Sequence, residues 1–200
     1  MNDKELLREK IWNQLTLNKL TAGGISTGRI PKFKGVMQAA VMLKNTPEWE
    51  RSQIIFSSPD SAQMKVREYA LRDGKFLIMA SPKLKSGYLK INPEDAHRRE
   101  SEASTIKGAF KIAKKIKNFP AVDLVVEGSV AVDLYGGRLG KGGGYADQEI
   151  EHLLKEKAIT ENTPIVTTVH EAQIVEEVPL ESHDKKINMI VTPERVIRIH

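Results

Sequence analysis

Two hundred residues, with 31 Lys or Arg against 26 Asp or Glu, give a formal net charge of +5, and there is no cysteine. The missing cysteine excludes thiolate metal sites, a cysteine nucleophile and disulfides. A chain of this length buries about 70% of the surface its unfolded form exposes, so no covalent staple is needed. The mildly basic balance suits a phosphorylated or polycarboxylate ligand, with nucleic acid as the alternative partner.

The charged opening MNDKELLREKIW does not read as a secretory leader. No apolar run approaches the ~20 residues of a membrane span. A cytoplasmic protein without a membrane partner, forming one domain over residues 1–200, is expected.

In chain order, residues 4–17 predict an amphipathic helix with Leu6, Leu7, Ile11 and Leu15 on its apolar stripe. Residues 21–34, with three glycines and Pro31, predict a loop, and 35–44 a second helix that stops before Pro47. QIIFS (53–57) reads as a short buried strand. Ser61 is an expected N-cap for a helix over 62–72, which Gly74 terminates. FLIMA (76–80) is another apolar strand and 88–91 a shorter one. A helix is expected over 104–117, carrying the basic run KIAKKIK, followed by strands at 124–127 and 130–134. A glycine-rich loop leads into a helix over 145–157, and the last quarter predicts strands at 165–169, 173–175, 188–191 and 196–199. Apolar strands alternating with helices imply a three-layer α/β/α domain with a mainly parallel sheet.

The stretch 136–144 places glycines around Arg138 and Lys141, between a strand and a helix. So much glycine costs backbone entropy. Close approach of main-chain N–H groups to a phosphate, aided by two cations and a helix N-terminus, is the functional reason for it; a turn or hairpin is the bland one. Lys141 is followed by glycine rather than Ser or Thr, so the Walker A pattern fails. The dinucleotide fingerprint fails as well.

The segment GGRLGKGGGYAD, preceded by Val132 and Asp133, resembles the signature of the 5-formyltetrahydrofolate cyclo-ligases, or methenyltetrahydrofolate synthetases. Lys4 and Arg8, one helical turn apart, resemble that family's phosphate-contacting pair near the N-terminus. His183 and Asp184 with MIVTPER (189–195) resemble its late Asp-containing segment. The resemblance implies an enzyme that uses ATP and magnesium to cyclise 5-formyltetrahydrofolate to the methenyl form. The γ-phosphoryl group passes to the formyl oxygen, the neighbouring amine attacks, and phosphate leaves. Such chemistry relies on alignment and cations.

In this reading Lys4, Arg8, Arg138 and Lys141 supply charge to the phosphates. Gly140, Gly142, Gly143 and Gly144 supply backbone donors. Asp147 and Asp184 are magnesium ligands, since that ion takes hard oxygen donors, and Tyr145 lines the boundary between nucleotide and folate. Arg138, Lys141 and Tyr145 form the catalytic set.

Each assignment has a structural alternative. Asp147 suits the first turn of a helix without any metal, Lys4 and Arg8 suit a solvated helix face, Asp133 a turn and Tyr145 simple packing. The chain departs from the family in reading Tyr145-Ala146-Asp147 for Tyr-Tyr-Asp. It also lacks a clear match to the glutamate that holds the pterin, Asp60 being the nearest acid. A divergent branch, resembling methenyltetrahydrofolate synthase domain-containing proteins, fits these departures. A binding module for RNA is the rival, resting on a cationic helix face of Lys111, Lys114, Lys115 and Lys117; no aromatic signature accompanies it. His170 reads as a hydrogen-bonded strand-end residue, His152 as exposed on its helix.

Overall fold

Apolar runs flanked by turn residues become strands here, and the computed structural model describes residues 1–200. Helix α1 (Asp3–Leu17) starts in a capping box in which Asn2 accepts from the Glu5 N–H and Glu5 answers at the Asn2 N–H, satisfying two free donors. Its buried side is Ile11, Trp12 and Leu15, whereas Leu6, expected on that stripe, is exposed. Helix α2 (Val36–Lys44) follows the expected loop, and a short helix α3 (Pro47–Arg51), not anticipated, starts on the Thr46 cap.

Strands β1 (Ile54–Ser57), β2 (Phe76–Ala80) and β3 (Tyr88–Ile91) fall where expected. Between β1 and β2, helix α4 (Met64–Arg72) begins later than predicted. Residues Ser61–Gln63 form a tight 3-10 turn, and Ser61 caps nothing.

The expected helix over 104–117 is instead α5 (Glu100–Ala103), α6 (Ile106–Ile112) and strand β4 (Lys114–Ile116). Ile112 and Ile116 are four apart, a spacing that shares one face in a strand as well as in a helix, so periodicity alone misleads. Ala113 turns extended, and β4 pairs antiparallel with β3 at the sheet edge. The cationic helix face of the RNA-binding alternative is therefore not formed. Lys114 and Lys115 lie on an edge strand, where lysines discourage edge-to-edge pairing.

Strand β5 (Leu124–Glu127) is followed by a hairpin of β6 (Ala131–Val132) and β7 (Arg138–Leu139), shorter than the strand expected over 130–134. Helix α7 (Tyr145–Lys155) and strands β8 (Ile165–Thr168), β9 (Met189–Val191) and β10 (Val196–Arg198) complete the chain. Of the strand expected over 173–175, only a single bridge forms, Ile174 running parallel to Val132, and it follows a 3-10 turn at Glu171–Gln173. His170 caps this turn through Nδ1, and the Gln173 amide is tied to the carbonyls of Ser129 and Val130.

The eight-stranded sheet runs β10-β9-β8-β5-β1-β2-β3-β4. Its five central strands are parallel, while β10, β3 and β4 run antiparallel to their neighbours. Alternation along each strand builds two cores. On one face Ile55, Leu124, Val126 and Val166 pack with Ala40 and Leu43 of α2 and Val66 and Ala70 of α4. On the other, Phe56, Ile78 and Val125 meet Ile150 and Leu153 of α7. The three-layer α/β/α architecture with a mainly parallel centre is as the sequence predicts. Helix α1 packs with the β6–β7 hairpin through Ile11, Leu15, Val130, Ala131 and Leu139, which brings the N-terminus over the C-terminal ends of β1 and β5.

Candidate active site

Beyond the C-terminal ends of parallel strands, the chain leaves a crevice, the usual ligand position of open α/β sheets. Here it is a cleft of about 570 Å³, bounded by α1, the 58–61 loop, the end of β5, the glycine loop, the start of α7 and residues 181–184. Lys4, Arg8, Arg138, Gly140, Lys141, Gly142, Gly143, Gly144, Tyr145, Asp147 and Asp184 all line it. Residues drawn from both ends and the middle of the sequence are thus brought together.

The loop owes its shape to the hairpin before it. Asp133 ends β6 and accepts from the N–H groups of Tyr135, Gly137 and Val178; it is the turn former, away from the cleft lining. Beyond β7, the backbone swings through positive φ at Gly142 (113°) and Gly144 (67°), conformations that other residues rarely adopt. Gly144 then leads into α7. None of the N–H groups of Lys141, Gly142, Gly143 and Gly144 donates to another protein group. With the unpaired first-turn donors of α7, they form a row of donors at an electropositive helix end.

The cations differ in their commitments. Arg8 donates from Nε to the Gly140 carbonyl at 2.8 Å, fastening α1 to the loop. Burial lowers its pKa, although Glu5 and Asp184 oppose the shift. Lys4 donates to Asp184 at 2.6 Å and to Glu181 at 3.2 Å. Burial works against its charge, but these two acids outweigh it and its pKa is raised. Lys141 is the most accessible of them, its side chain 40% exposed and 3.4 Å from Asp60.

Arg138, expected as a phosphate charge, lies beneath the loop rather than on its face. Its guanidinium donates to the Gly128 carbonyl at 3.0 Å and to Asp147 at 3.3 Å. Asp147 also accepts from the Lys185 N–H, and Asp184 from the Glu181 N–H. Burial opposes ionisation of Asp184, yet Lys4 and that N–H hold its pKa below the ordinary value. Glu181 and His183 stand close enough to Asp184 for their ligand atoms to lie within 4.8 Å of one another.

Two acids escaped the sequence reading. Glu127, the last residue of β5, and Glu149, on α7, are buried together at the cleft floor and both line it. Burial first, then the charge of its neighbour Glu149, drives the Glu127 pKa well above the ordinary carboxylate range. Burial also pushes Glu149 up to about 7, while the proton shared with Glu127 pulls the other way. A signal existed: Glu127 closes an otherwise apolar strand, and Glu149 precedes Leu153 by four residues on the buried face of α7.

The 58–60 loop is held by buried Arg67, which donates to the carbonyls of Ser58, Asp60 and Ser104. Burial lowers that guanidinium to about 10, so it remains charged at neutral pH. Asp60, the acid nearest to the expected position of a pterin-holding glutamate, thereby enters the cleft beside Lys141. His152 is exposed as expected, and its Nδ1 meets the Tyr88 hydroxyl at 2.7 Å.

No helix is long and apolar enough to cross a membrane. The mouse methenyltetrahydrofolate synthase domain-containing protein is 35% identical over 202 residues, covering 97% of this chain and 54% of the relative. The Escherichia coli K12 5-formyltetrahydrofolate cyclo-ligase is 36% identical over 75 residues, 38% of each chain. The chain spans about half the length of the mouse and human methenyltetrahydrofolate synthase domain-containing proteins (54% and 53%). In fold, the solution structure of the Aquifex aeolicus 5,10-methenyltetrahydrofolate synthetase superposes with a TM-score of 0.61 at 23% identity, over 98% of this chain and 93% of that one. The sequence profile of the 5-formyltetrahydrofolate cyclo-ligase family matches residues 1–193, and the chain belongs to that family.

Proposed function

We propose that the chain is an ATP-dependent cyclo-ligase that closes 5-formyltetrahydrofolate, or a close relative of it, to the methenyl form. The observation that carries this reading is the convergence, in one cleft, of four unpaired loop amides with Lys4, Arg8 and Lys141. A row of N–H donors at a helix start, flanked by ammonium and guanidinium groups, matches the oxygens and charge of a triphosphate. Lys141 reaches the moving phosphoryl from the open side. Arg138 acts from below, as a positioning group that fixes Asp147 and the Gly128 carbonyl. Tyr145, at the first position of α7, stands at the border between the nucleotide and the formyl-bearing ring.

Magnesium fits the donor set. Asp147 and Asp184 are carboxylates with lone pairs beyond those engaged by their protein donors, and such hard oxygens suit the ion. Bound there, it would neutralise phosphate charge as the phosphoryl moves. The chain's own contribution is alignment and fixed charge, which this reaction class mainly needs.

ADP release that depends on 5-formyltetrahydrofolate, together with the absorbance of a methenyl product, is the expected result with ATP and magnesium. Folded, ATP-binding protein that releases no ADP with this substrate would overturn the assignment. Lys141→Ala should weaken ATP binding about tenfold, the loss of one charge-assisted contact. Unchanged affinity in a calorimetric titration would remove Lys141 from the phosphate site.

A further inference from the structure

The Lys and Arg side chains around the cleft divide by what already holds them. Lys4 bonds to Asp184 and Glu181, Arg8 to the Gly140 carbonyl, Arg138 to the Gly128 carbonyl and Asp147, and Lys141 to Asp60. Arg29 and Lys83 also line the cleft, and neither side chain makes a hydrogen bond or an ion pair. Lys83 comes from the turn between β2 and β3. Arg29 is moored elsewhere, its carbonyl accepting from Trp12 Nε1 at 3.0 Å. Trp12 follows Arg8 by one turn of α1, so the same helix supports Arg8 and Arg29 at neighbouring points.

The segment leading to Arg29 is pinned at its base. Thr21 and Phe33 form an antiparallel bridge, and the N–H groups of Ala22 and Lys34 donate to the Lys32 and Leu20 carbonyls, both at 2.7 Å. Above that base, the N–H groups of residues 23–28 donate to no protein group. Gly23, Gly24 and Gly28 hold φ of 92°, 78° and 75°, and nothing lies within 4 Å of where their Cβ atoms would stand. Glycines that bracket a short tip without neighbours let it move at low cost. Two side chains of the tip are unmet. Ile25 is 81% exposed, and Ser26, 4% exposed, keeps an Oγ without a partner. A buried hydroxyl left unpaired is a cost that rearrangement of the tip relieves.

We infer that Arg29 is a further phosphate-binding residue, brought onto the nucleotide as the 23–28 tip folds down over the cleft. A guanidinium with all its donors unengaged meets two phosphate oxygens at once through charge-assisted bonds. The Arg29 N–H donates to the Ser26 carbonyl at 2.9 Å, so the tip and the arginine are coupled through the backbone. Closure would set Ile25 over the ligand and exclude water from the phosphates, as active-site lids do. A merely solvated arginine needs neither the mooring at Trp12 nor a glycine-bracketed tip beside it. The inference rests on the proposed reading of a triphosphate in this cleft. It adds a residue that lies outside both the glycine loop and the Lys4–Arg8 pair.

The test uses the full chain, with ATP and magnesium as the probe. Arg29→Ala should weaken ATP binding about tenfold in a calorimetric titration. Its melting temperature should not change, because the side chain holds no other group in place. Arg29→Lys should recover only part of the affinity, since an ammonium lacks the planar fork. Lys83→Ala, which removes an equally free cation from the β2–β3 turn, should change affinity by less than about twofold. Amide exchange over 23–28 should slow at least about fivefold when ATP binds the unaltered chain, and should not slow in Arg29→Ala. Equal losses in Arg29→Ala and Lys83→Ala would reduce Arg29 to a share of the general field and overturn the inference. Unaltered affinity in Arg29→Ala, or exchange indifferent to the nucleotide, would overturn it too. Folate-dependent ADP release alongside those results would leave the cyclo-ligase reading standing. Loop protection that needs Arg29, without any folate-dependent ADP release, would sink that reading and keep Arg29 at the phosphates.

Discussion

Replacing Arg138 with alanine is expected to cost about 3–5 kcal/mol of folding stability, a large share of what a domain of this size has. The side chain is 2% exposed and its guanidinium holds two partners, the Gly128 carbonyl and Asp147. Truncation would strip the Gly128 carbonyl of its donor and leave Asp147 with the Lys185 N–H. It would also remove a positive charge that bears on both Glu127 and Glu149. Breaking a buried pair from one side is costlier than replacing it whole, because the surviving charge stays desolvated. Arg138→Lys should recover only part of the loss, since an ammonium cannot reproduce the fork that spans a carbonyl and a carboxylate. Urea denaturation midpoints measure this. A change of less than about 0.5 kcal/mol in the alanine variant would mean that Arg138 does not hold the hairpin to α7.

Stability should fall as pH rises from 5 to 8. Burial, opposed by the proton shared with Glu127, raises Glu149 from 4.5 to about 7 in the folded chain. The folded state therefore holds that proton more tightly than the unfolded one. The resulting stability is fully present below the unfolded value and is withdrawn as pH climbs through the folded one. The shift corresponds to about 3 kcal/mol, spread over that interval. Asp60 from the loop, Arg138 and Lys141 from the hairpin and glycine loop, and Glu127 from β5 are the charged groups that set it. Glu149→Gln should make the profile shallower, the remaining slope belonging to Glu127, whose pKa burial also raises, and should raise the melting temperature at pH 8. A profile just as steep in the variant would assign the effect elsewhere. Glu48, held near 2 mainly by its bond to Arg198 with burial opposing, acts in the opposite direction and only on the acid side of 4.5.

The sheet was legible because its central strands are short continuous apolar runs between turn residues, and buried parallel strands look like that in any sequence. The glycine loop was legible because glycine in such density, interleaved with Arg138 and Lys141, has few physical uses. The 104–117 region was misread because Ile112 and Ile116 satisfy two periods at once. Only the pairing of Lys114 and Lys115 with β3, a contact outside the local sequence, decides between them. Ser61 was misjudged for a related reason, as the first turn is wound as a 3-10 turn beside the Arg67-anchored 58–60 loop. Arg138 looked like a phosphate ligand because charge can be read from sequence and burial cannot. Glu127 and Glu149 were overlooked for the same reason. Each is an unremarkable acid until the fold sets them side by side in the interior, where neither can keep an ordinary charge.

The bond from Lys4 to Asp184 joins positions 180 apart. A growing polypeptide that has not yet emitted residue 184 cannot close that side of the cavity, however well its earlier strands have paired. Nucleotide capture should therefore arise only once residue 184 has left the ribosome and folded back onto Lys4. A shortened fragment with intact secondary structure should bind weakly, so ligand affinity serves as an assay for completed assembly.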